Sequence, residues 1–257
     1  MCTVTWTHTG GAYSLFFNRD EFRARSHEHP PRRWNSRGST VLAPLDDGGG
    51  GTWIAVNEHG LTAALLNHYA RASKSPDNLH SRGCIPLLAA AHRSVADAVA
   101  WATAATMTSF MPFHLVLVGA TGRSALVTWD GSRVTVSNDV RLPVTSSSFC
   151  PEEVARVREA QFRELVPDAA AVTAGALEAF HRSTNPKGGA WSVWMERPDA
   201  CTRSLIRIDV DGSCATMRNE VAHPGYALLD SRADSPLIAT LARAGVAAAG
   251  NGTGRGE

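Results

Sequence analysis

The chain opens with MCTVTWTHTGGAYSLFFNRDE (residues 1–21), in which two runs of β-forming residues flank a pair of glycines. Residues 3–7 and 13–18 are the two runs, and the glycines between them suit a tight turn, so the pattern predicts a β-hairpin. In an antiparallel pair, the start of the first strand lies opposite the end of the second strand. We therefore expect the two ends of this stretch to meet in the folded protein.

Cys2 offers a nucleophile that removal of Met1 would place at the N-terminus, where one residue carries both a thiol and an α-amine. An α-amine has a reference pKa of about 7.7 to 8, so it can accept a proton near neutral pH. The thiol, with a reference pKa of about 8.5, is mainly protonated at pH 7 unless a base or a cation assists it. Arg19 is the candidate cation. The alternative is that Met1 is retained and that a cysteine at this position is incidental.

Composition limits the classes of function. The 257 residues are 44% hydrophobic, which allows a substantial core, and the formal net charge is +1. Because the charged residues are scattered, neither nucleic acid nor an anionic membrane surface is an expected partner. No apolar run approaches the roughly 18 residues of a membrane span, and no secretory signal is visible, so a cytoplasmic location is expected. The expected partner is a small-molecule substrate, and homo-oligomerisation stays open.

The five cysteines are widely spaced and form no CxxC pair, which argues against a disulfide framework and a thiolate zinc site. The histidines raise a metal or haem alternative, because His8 and His27-Glu28-His29 lie in the N-terminal region. An H-x-H pair on a loop is typically solvated, however, and neither CxxCH nor a third ligand at characteristic spacing is present. We therefore expect neither a metal nor a cofactor.

Turn signals divide the chain into strand pairs and helix pairs. The predicted strands are 3–7, 13–18, 52–56, 61–67, 113–119, 125–129, 133–137, 203–210 and 214–218, with two helices within 82–107 and one each at 151–166 and 169–182. This order predicts an α/β (α+β) fold, a four-layer αββα sandwich of two antiparallel sheets between helical layers. A doubly wound parallel sheet fits less well, because strands and helices do not alternate.

Two segments differ from these elements. Residues 26–51 contain three prolines and many glycines, and they predict a long surface loop that could cover a site. The glycine-rich residues 250–257 predict a disordered tail. Residues 1–249 are expected to form a single domain.

Several short motifs follow one another in a characteristic order. They are Met1-Cys2, Asn18-Arg19-Asp20-Glu21, Gly50-Gly51-Thr52-Trp53, Leu66-Asn67, Ser81-Arg82-Gly83 and Cys201-Thr202-Arg203-Ser204. Each motif is weak alone, but their joint order is hard to obtain by chance. The chain resembles the NRDE protein family, which includes the transport and Golgi organisation proteins. This resemblance implies an N-terminal nucleophile (Ntn) hydrolase fold, the αββα sandwich that patterning also predicts.

The resemblance also implies catalytic roles, because the Ntn superfamily includes cysteine amidases that cleave conjugated bile acids and penicillins. Cys2 resembles their nucleophile, and Arg19 and Asp20 resemble the arginine and aspartate on their next strand. Asn67 is similar in placement to their oxyanion-hole asparagine, and Arg203 is similar to their distant arginine. Structural alternatives are an ion pair of Arg19 with Asp20, a turn closed by Asn67, and an acidic neighbour for Arg203.

Trp53 and Ser147 are assigned to substrate binding. An indole offers apolar area and one donor but no acid–base capacity, so Trp53 is expected in the core or the pocket wall. Where many relatives carry Ser-Asn after the central strands, this chain has Thr145-Ser146-Ser147-Ser148. A serine hydroxyl can donate a hydrogen bond, but it is shorter than an asparagine amide.

Together these assignments predict an N-terminal cysteine amidohydrolase. It would cleave a non-peptide amide, or a related acyl bond of a small molecule, through an acyl-enzyme on Cys2. Two other functions are compatible with the same fold, a noncatalytic carrier of haem or a lipid and an inactive scaffold.

Overall fold

The computed structural model describes residues 1–69, 79–168, 172–186, 189–222 and 237–244. The strands are β1 (Cys2–Thr9), β2 (Ala12–Phe22), β3 (Glu28–Ser36), β4 (Ser39–Asp46), β5 (Ile54–Asn57), β6 (Leu61–Asn67), β7 (Phe113–Gly119), β8 (Ser124–Trp129), β9 (Val134–Ser137), β10 (Val144–Ser146), β11 (Ala200–Val210), β12 (Cys214–Val221) and β13 (Leu237–Ala242). The helices are α1 (Ile85–Ala89), α2 (Val95–Ala104), α3 (Pro151–Leu165) and α4 (Ala174–His181), with a 3-10 turn at Arg82–Cys84. Within these described ranges, no helix has the length and apolar character needed to cross a membrane.

Two antiparallel sheets form the middle of the molecule. Sheet A has the strand order β10-β1-β2-β11-β12-β13, and sheet B has the order β3-β4-β5-β6-β7-β8-β9. Their facing surfaces bury an apolar core that includes Val4 and Phe17 of sheet A and Leu66 and Val116 of sheet B. Helices α1 and α2 pack on the outer face of sheet B, and α3 and α4 pack on the outer face of sheet A. The predicted αββα layering is confirmed.

The β1–β2 hairpin has the predicted pairing. Cys2 lies opposite Arg19, and Val4 lies opposite Phe17 in the inter-sheet core. Because side chains alternate along a strand, Cys2 and Arg19 face the space between the sheets, whereas Asp20 faces the helical layer. The hairpin therefore brings Cys2 and Arg19 together on one face.

The prediction of a long loop at residues 26–51 was wrong. Most of this segment is a hairpin of β3 and β4, which extends sheet B beyond β5. Pro30 and Pro31 lie where the β3–β4 register is irregular, between His29 and Arg32. At such a position, on the outermost described strand of the sheet, a missing backbone N–H costs no ladder hydrogen bond.

Other differences are smaller. The predictions missed β10, which is only three residues long, and β13. The helices predicted within 82–107 and at 169–182 are shorter than expected. The predicted tail, residues 250–257, lies outside the described residues.

Asn18, the first residue of the NRDE motif, binds α4 to sheet A. Its Nδ2 donates to the carbonyls of His181 at 2.8 Å and Val193 at 2.9 Å, so its Oδ1 accepts from His181 Nδ1 at 2.9 Å. His181 Nδ1 therefore carries the proton, and Nε2 accepts from Thr5 Oγ1 at 2.9 Å. Burial, assisted by the positive charge of Arg158, lowers the pKa of His181 to about 3. The fold therefore requires a neutral imidazole here.

This arrangement predicts a loss of stability in acid. The unfolded chain takes up the His181 proton near its reference pKa of about 6.5, whereas the folded chain takes it up only near 3. The contribution of His181 is therefore complete above pH 6.5 and is lost as pH falls, by up to about 1.4 kcal/mol per pH unit. Urea unfolding between pH 7 and pH 4.5 measures this slope. The His181→Leu variant should be less stable at pH 7 but have a shallower slope, and an equal slope in both proteins would contradict the assignment.

Candidate active site

A cavity of about 360 Å³ opens at one end of the sandwich, where β1 begins and where β2 and β6 end. Five of the predicted site residues line it, namely Cys2, Arg19, Asp20, Trp53 and Asn67. Ser147 and Arg203 are not among its lining residues. The cavity is therefore the candidate active site, and its residues come from both sheets.

Met1 precedes Cys2, so the backbone nitrogen of Cys2 is a peptide amide. The Met1 ammonium donates to the Asp20 carbonyl at 2.9 Å, and Asp20 N donates to the Met1 carbonyl at 3.0 Å. The thiol of Cys2 keeps some contact with the cavity, but the surrounding protein removes most of its hydration. This burial raises the pKa of Cys2 above its usual value, although the Met1 ammonium and Arg19 oppose the shift. While Met1 is present, the thiol is therefore mainly protonated.

Arg19 crosses from β2 to sheet B and is held on several sides. Its Nη1 lies 3.2 Å from Glu28 Oε2, and its Nη2 lies 3.3 Å from Asp46 Oδ2. Its guanidinium carbon lies 4.4 Å from the centre of the Trp53 ring, within the range of a cation–π interaction. These contacts fix a positive charge beside Cys2, and that charge favours the thiolate.

Trp53 forms one wall of the cavity. Its side chain is buried beneath Arg19, and its indole Nε1 has no hydrogen-bond partner among the residues that the structure describes. A buried donor of this kind costs free energy unless a ligand or water satisfies it. Trp53 therefore supplies apolar surface to the cavity wall, while its indole nitrogen is enclosed by the surrounding protein.

Asp20 faces the helical layer, where it pairs with Arg158 of α3. Arg158 Nη2 lies 3.4 Å from Asp20 Oδ2, and Thr202 Oγ1 donates to Asp20 Oδ1 at 2.7 Å. Arg158 also donates to Thr3 Oγ1 at 2.5 Å and to the Ser192 carbonyl at 2.7 Å. Burial raises the pKa of Asp20, and Arg158 opposes this shift. Asp20 thus anchors the backbone to which the N-terminus binds, and the structural alternative of an ion pair with Arg19 is wrong, because the partner of Asp20 is Arg158.

Asn67 and Tyr69 lie at the end of β6. Asn67 Nδ2 donates to the Tyr69 hydroxyl at 3.2 Å, and both residues line the cavity. An amide nitrogen has two protons, so Asn67 keeps a second donor for a ligand. Arg82 lines the same wall and donates to the Pro112 carbonyl at 2.8 Å. Tyr69 and Arg82 are both close enough to Cys2 to respond to its charge.

The hydroxyl groups of Ser146 and Ser147 have different surroundings. Ser147 Oγ donates to the Phe149 carbonyl at 2.6 Å and lies 2.9 Å from Met1 Sδ. Ser146 pairs directly with Cys2 across β1 and β10, so its side chain is on the same face as the thiol. The buried Ser146 hydroxyl has no hydrogen-bond partner within the described part of the chain. Of the two serines, Ser146 is therefore the one positioned beside Cys2.

Arg203 holds the turn that follows β2. Its Nη1 donates to the carbonyls of Phe22 and Arg25, each at 3.1 Å, and its Nη2 donates to the Ser26 carbonyl at 3.4 Å. The side chain is almost fully buried. Arg203 therefore stabilises the turn that positions Arg25 at the cavity wall.

Sequence analysis missed Arg158, Glu28 and Asp46. Arg158 had a detectable signal, because it lies four residues after Val154 and four before Phe162, on the buried face of α3. Glu28 and Asp46 carried no sequence signal for their contact with Arg19, because they meet it only when the β3–β4 hairpin packs against sheet A. No group of three or more His, Cys, Asp or Glu side chains suited to a metal ion occurs in the described ranges.

The buried Asp20–Arg158 pair yields a stability prediction. The Arg158→Leu variant should lose about 3 to 5 kcal/mol of unfolding free energy, because it leaves a buried carboxylate without its partner. Arg156→Leu on the same helix is the matched control, since Arg156 is exposed and its contact with Glu153 spans 3.9 Å. The control should change stability by at most about 0.5 kcal/mol. Similar losses in both variants, measured by urea unfolding, would refute the anchoring role of Arg158.

Comparison with solved structures identifies the fold. The chain is similar to penicillin V acylase from Agrobacterium tumefaciens, at 18% identity and a TM-score of 0.52 over 86% of this chain and 83% of that chain. It is also similar to a single-residue variant of conjugated bile acid hydrolase from Clostridium perfringens, at 14% identity and a TM-score of 0.59 over 93% and 92%. A Caenorhabditis elegans N-acylethanolamine-hydrolyzing acid amidase ortholog aligns at 8% identity and a TM-score of 0.58 over 81% and 92%. At these identities the likeness establishes the Ntn hydrolase fold alone.

Sequence comparison identifies the family. No curated protein sequence matches the chain. The model of the Transport and Golgi organisation 2 family matches residues 1–180 of the 257 residues. This range includes Cys2, the NRDE motif and Asn67. The chain therefore belongs to the Transport and Golgi organisation 2 family, the NRDE family that its motifs resemble, and it has an Ntn hydrolase fold.

Proposed function

We propose that the chain, once Met1 has been removed, is an N-terminal cysteine amidohydrolase acting on a small molecule. Its reaction would be the cleavage of a non-peptide amide C–N bond, or of a related acyl bond. The observation that carries this proposal is the meeting of Cys2, Arg19 and Asn67 at one cavity of an Ntn hydrolase fold. Solved structures with the same fold include a penicillin V acylase and a conjugated bile acid hydrolase, both of which act on small molecules.

Removal of Met1 changes the chemistry of Cys2. The backbone nitrogen, which is an amide in the longer chain, becomes an α-amine with a reference pKa of about 7.7 to 8. This amine lies on the same residue as the thiol and beside the Asp20 backbone, which now holds the Met1 ammonium and carbonyl. A thiol that lacked a base would then have one within the same residue.

In the first half of the reaction, the α-amine takes the thiol proton, and the Cys2 sulfur forms a bond to the substrate carbonyl carbon. Asn67 Nδ2, at the wall of the cavity, donates to the developing oxyanion. The C–N bond then breaks, and the α-ammonium gives its proton to the leaving nitrogen. The products of this half are a free amine and a thioester on Cys2.

In the second half, water replaces the amine. The α-amine removes a proton from the water, whose oxygen attacks the thioester carbon, and the C–S bond breaks. The proton held by the amine returns to the sulfur, so the free thiol is restored. The sum is one amide and one water converted to one acid and one amine, with no electron transfer.

Thiol labelling tests the proposal before any substrate is identified. The intact mass of the purified protein shows whether Met1 is absent, and peptide mapping after limited iodoacetamide treatment locates the label. In the Met1-free chain, Cys2 should react at least about tenfold faster than in a chain produced with methionine aminopeptidase inhibited, because the α-amine on the same residue can accept the thiol proton and so increase the thiolate fraction. The exposed Cys150 is the internal control and should react equally in both chains. Equal labelling of Cys2 in both chains would overturn the proposal.

Substitution of Asn67 tests the oxyanion role once an amide that the wild type hydrolyses has been found in a panel of N-acyl amines. The Asn67→Ala variant should reduce kcat about 10²- to 10³-fold, because one oxyanion donor is lost. The Asn35→Ala control removes an exposed asparagine of β3 outside the cavity and should change the rate by less than about twofold.

A Cys2→Ala variant should have no turnover. Turnover that persists in Cys2→Ala would exclude the thioester route.

A further inference from the structure

The side chain of Met1 occupies an apolar pocket of its own. It is 8% exposed and packs with Val154, Ala190, Met195 and Ala200, a cluster separate from the inter-sheet core. We name these four residues the Met1 pocket. The Ser147 hydroxyl adds a polar contact, 2.9 Å from Met1 Sδ.

The Met1 pocket lies next to the candidate active site. Because side chains alternate along β1, the Met1 side chain is on the helical side of sheet A and Cys2 is on the inner side. A narrow cleft lies between the two regions, since Met1 and Ala200 line it and Glu21, Phe22 and Tyr69 line both this cleft and the candidate active site. Excision of Met1 would therefore leave an apolar pocket that opens towards the nucleophile.

The shape of the present occupant indicates what the emptied pocket would accept. Methionine has an unbranched side chain of four heavy atoms, and its neighbours are the four apolar residues of the Met1 pocket together with the Ser147 hydroxyl beside its sulfur. An exposed apolar wall favours an apolar ligand, by about three- to fourfold in affinity for each methylene that it buries. A branched or charged group would lack this fit, because only a narrow chain fills the space that Met1 occupies.

We propose that, after excision of Met1, the Met1 pocket is a substrate subsite for a short unbranched alkyl or thioether segment next to the scissile bond. This inference rests on the proposed function, because both require a chain that begins at Cys2. In the unprocessed chain, Met1 fills the subsite and also blocks the α-amine. Excision would therefore create the base and the binding pocket in one step.

The test measures protection of Cys2 by a homologous series of ligands. The Met1-free chain is treated with iodoacetamide in the presence of N-alkyl acetamides whose alkyl chains have one to six carbons. The protection constant should fall about three- to fourfold per carbon, reach a limit near four carbons, and change little beyond. N-tert-butyl acetamide, which is branched, should protect no better than the N-methyl compound. A flat response along the series would overturn the inference.

Two variants locate the subsite. Ala190→Leu fills the space that Met1 leaves, so it should abolish the dependence of protection on chain length. Met195→Ala enlarges the pocket and should move the optimum to longer chains, which keeps the inference testable if Ala190→Leu does not fold. A length dependence that neither variant alters would place the alkyl group elsewhere and overturn the inference.

The outcome is distinguishable from that of the proposed function, because protection requires no turnover. A length dependence in a chain that hydrolyses no amide would support the subsite and count against the hydrolase. Hydrolysis of an amide without any dependence of protection on chain length would support the hydrolase and overturn the subsite.

Discussion

The antiparallel register of β1 and β2 is the constraint on which the site depends. Cys2 pairs with Arg19 on one side and with Ser146 on the other, so all three side chains project into the space between the sheets. A one-residue shift of either strand would turn its own inward-facing side chain, Cys2 or Arg19, to the helical face. Inward-facing apolar residues such as Val4 and Phe17 oppose that shift, because it would remove them from the core. The hydrophobic pattern of the hairpin therefore also positions the candidate nucleophile.

Within the NRDE motif, consecutive residues serve opposite faces of the same strand. Asn18 and Asp20 face the helical layer, where they bind His181 of α4 and Arg158 of α3. Arg19 faces the other way and reaches Glu28 and Asp46 of sheet B. Strand β2 of sheet A thus contacts both the helical layer and sheet B. Each contact is buried and polar, so loss of one partner would leave the other without compensation.

The N-terminus has two roles in this arrangement. Met1 extends the pairing with Asp20 and fills its own apolar pocket, and burial by the surrounding protein raises the pKa of the Cys2 thiol, although the Met1 ammonium opposes that rise. The same contacts show what excision would change, namely the charge on the backbone nitrogen and the occupancy of the pocket. The pairing of β1 with β2 begins at Cys2, so it does not depend on Met1.

Much of this protein could be predicted from the sequence alone. Alternating β-formers around Gly10-Gly11 predicted the first hairpin, and the order of turns and helices predicted the αββα layers. These features depend on short-range patterns, which the printed sequence displays. The prediction that residues 26–51 form a loop failed because prolines at a strand edge resemble prolines in a loop. Prolines give the same sequence signal in a loop and in an edge strand, and only the pairing of β3 with β4 shows that this segment is a strand.

Tertiary structure alone decided how the site is assembled. Glu28 and Asp46 meet Arg19, Arg158 replaces Arg19 as the partner of Asp20, and Ser146 rather than Ser147 lies beside Cys2. Arg203 lines no part of the cavity but holds the turn after β2. These outcomes follow from which face of a strand each side chain occupies and from contacts between residues far apart in the chain. Local sequence specifies strands and turns, whereas the partners of a buried charge are set only when the layers pack together.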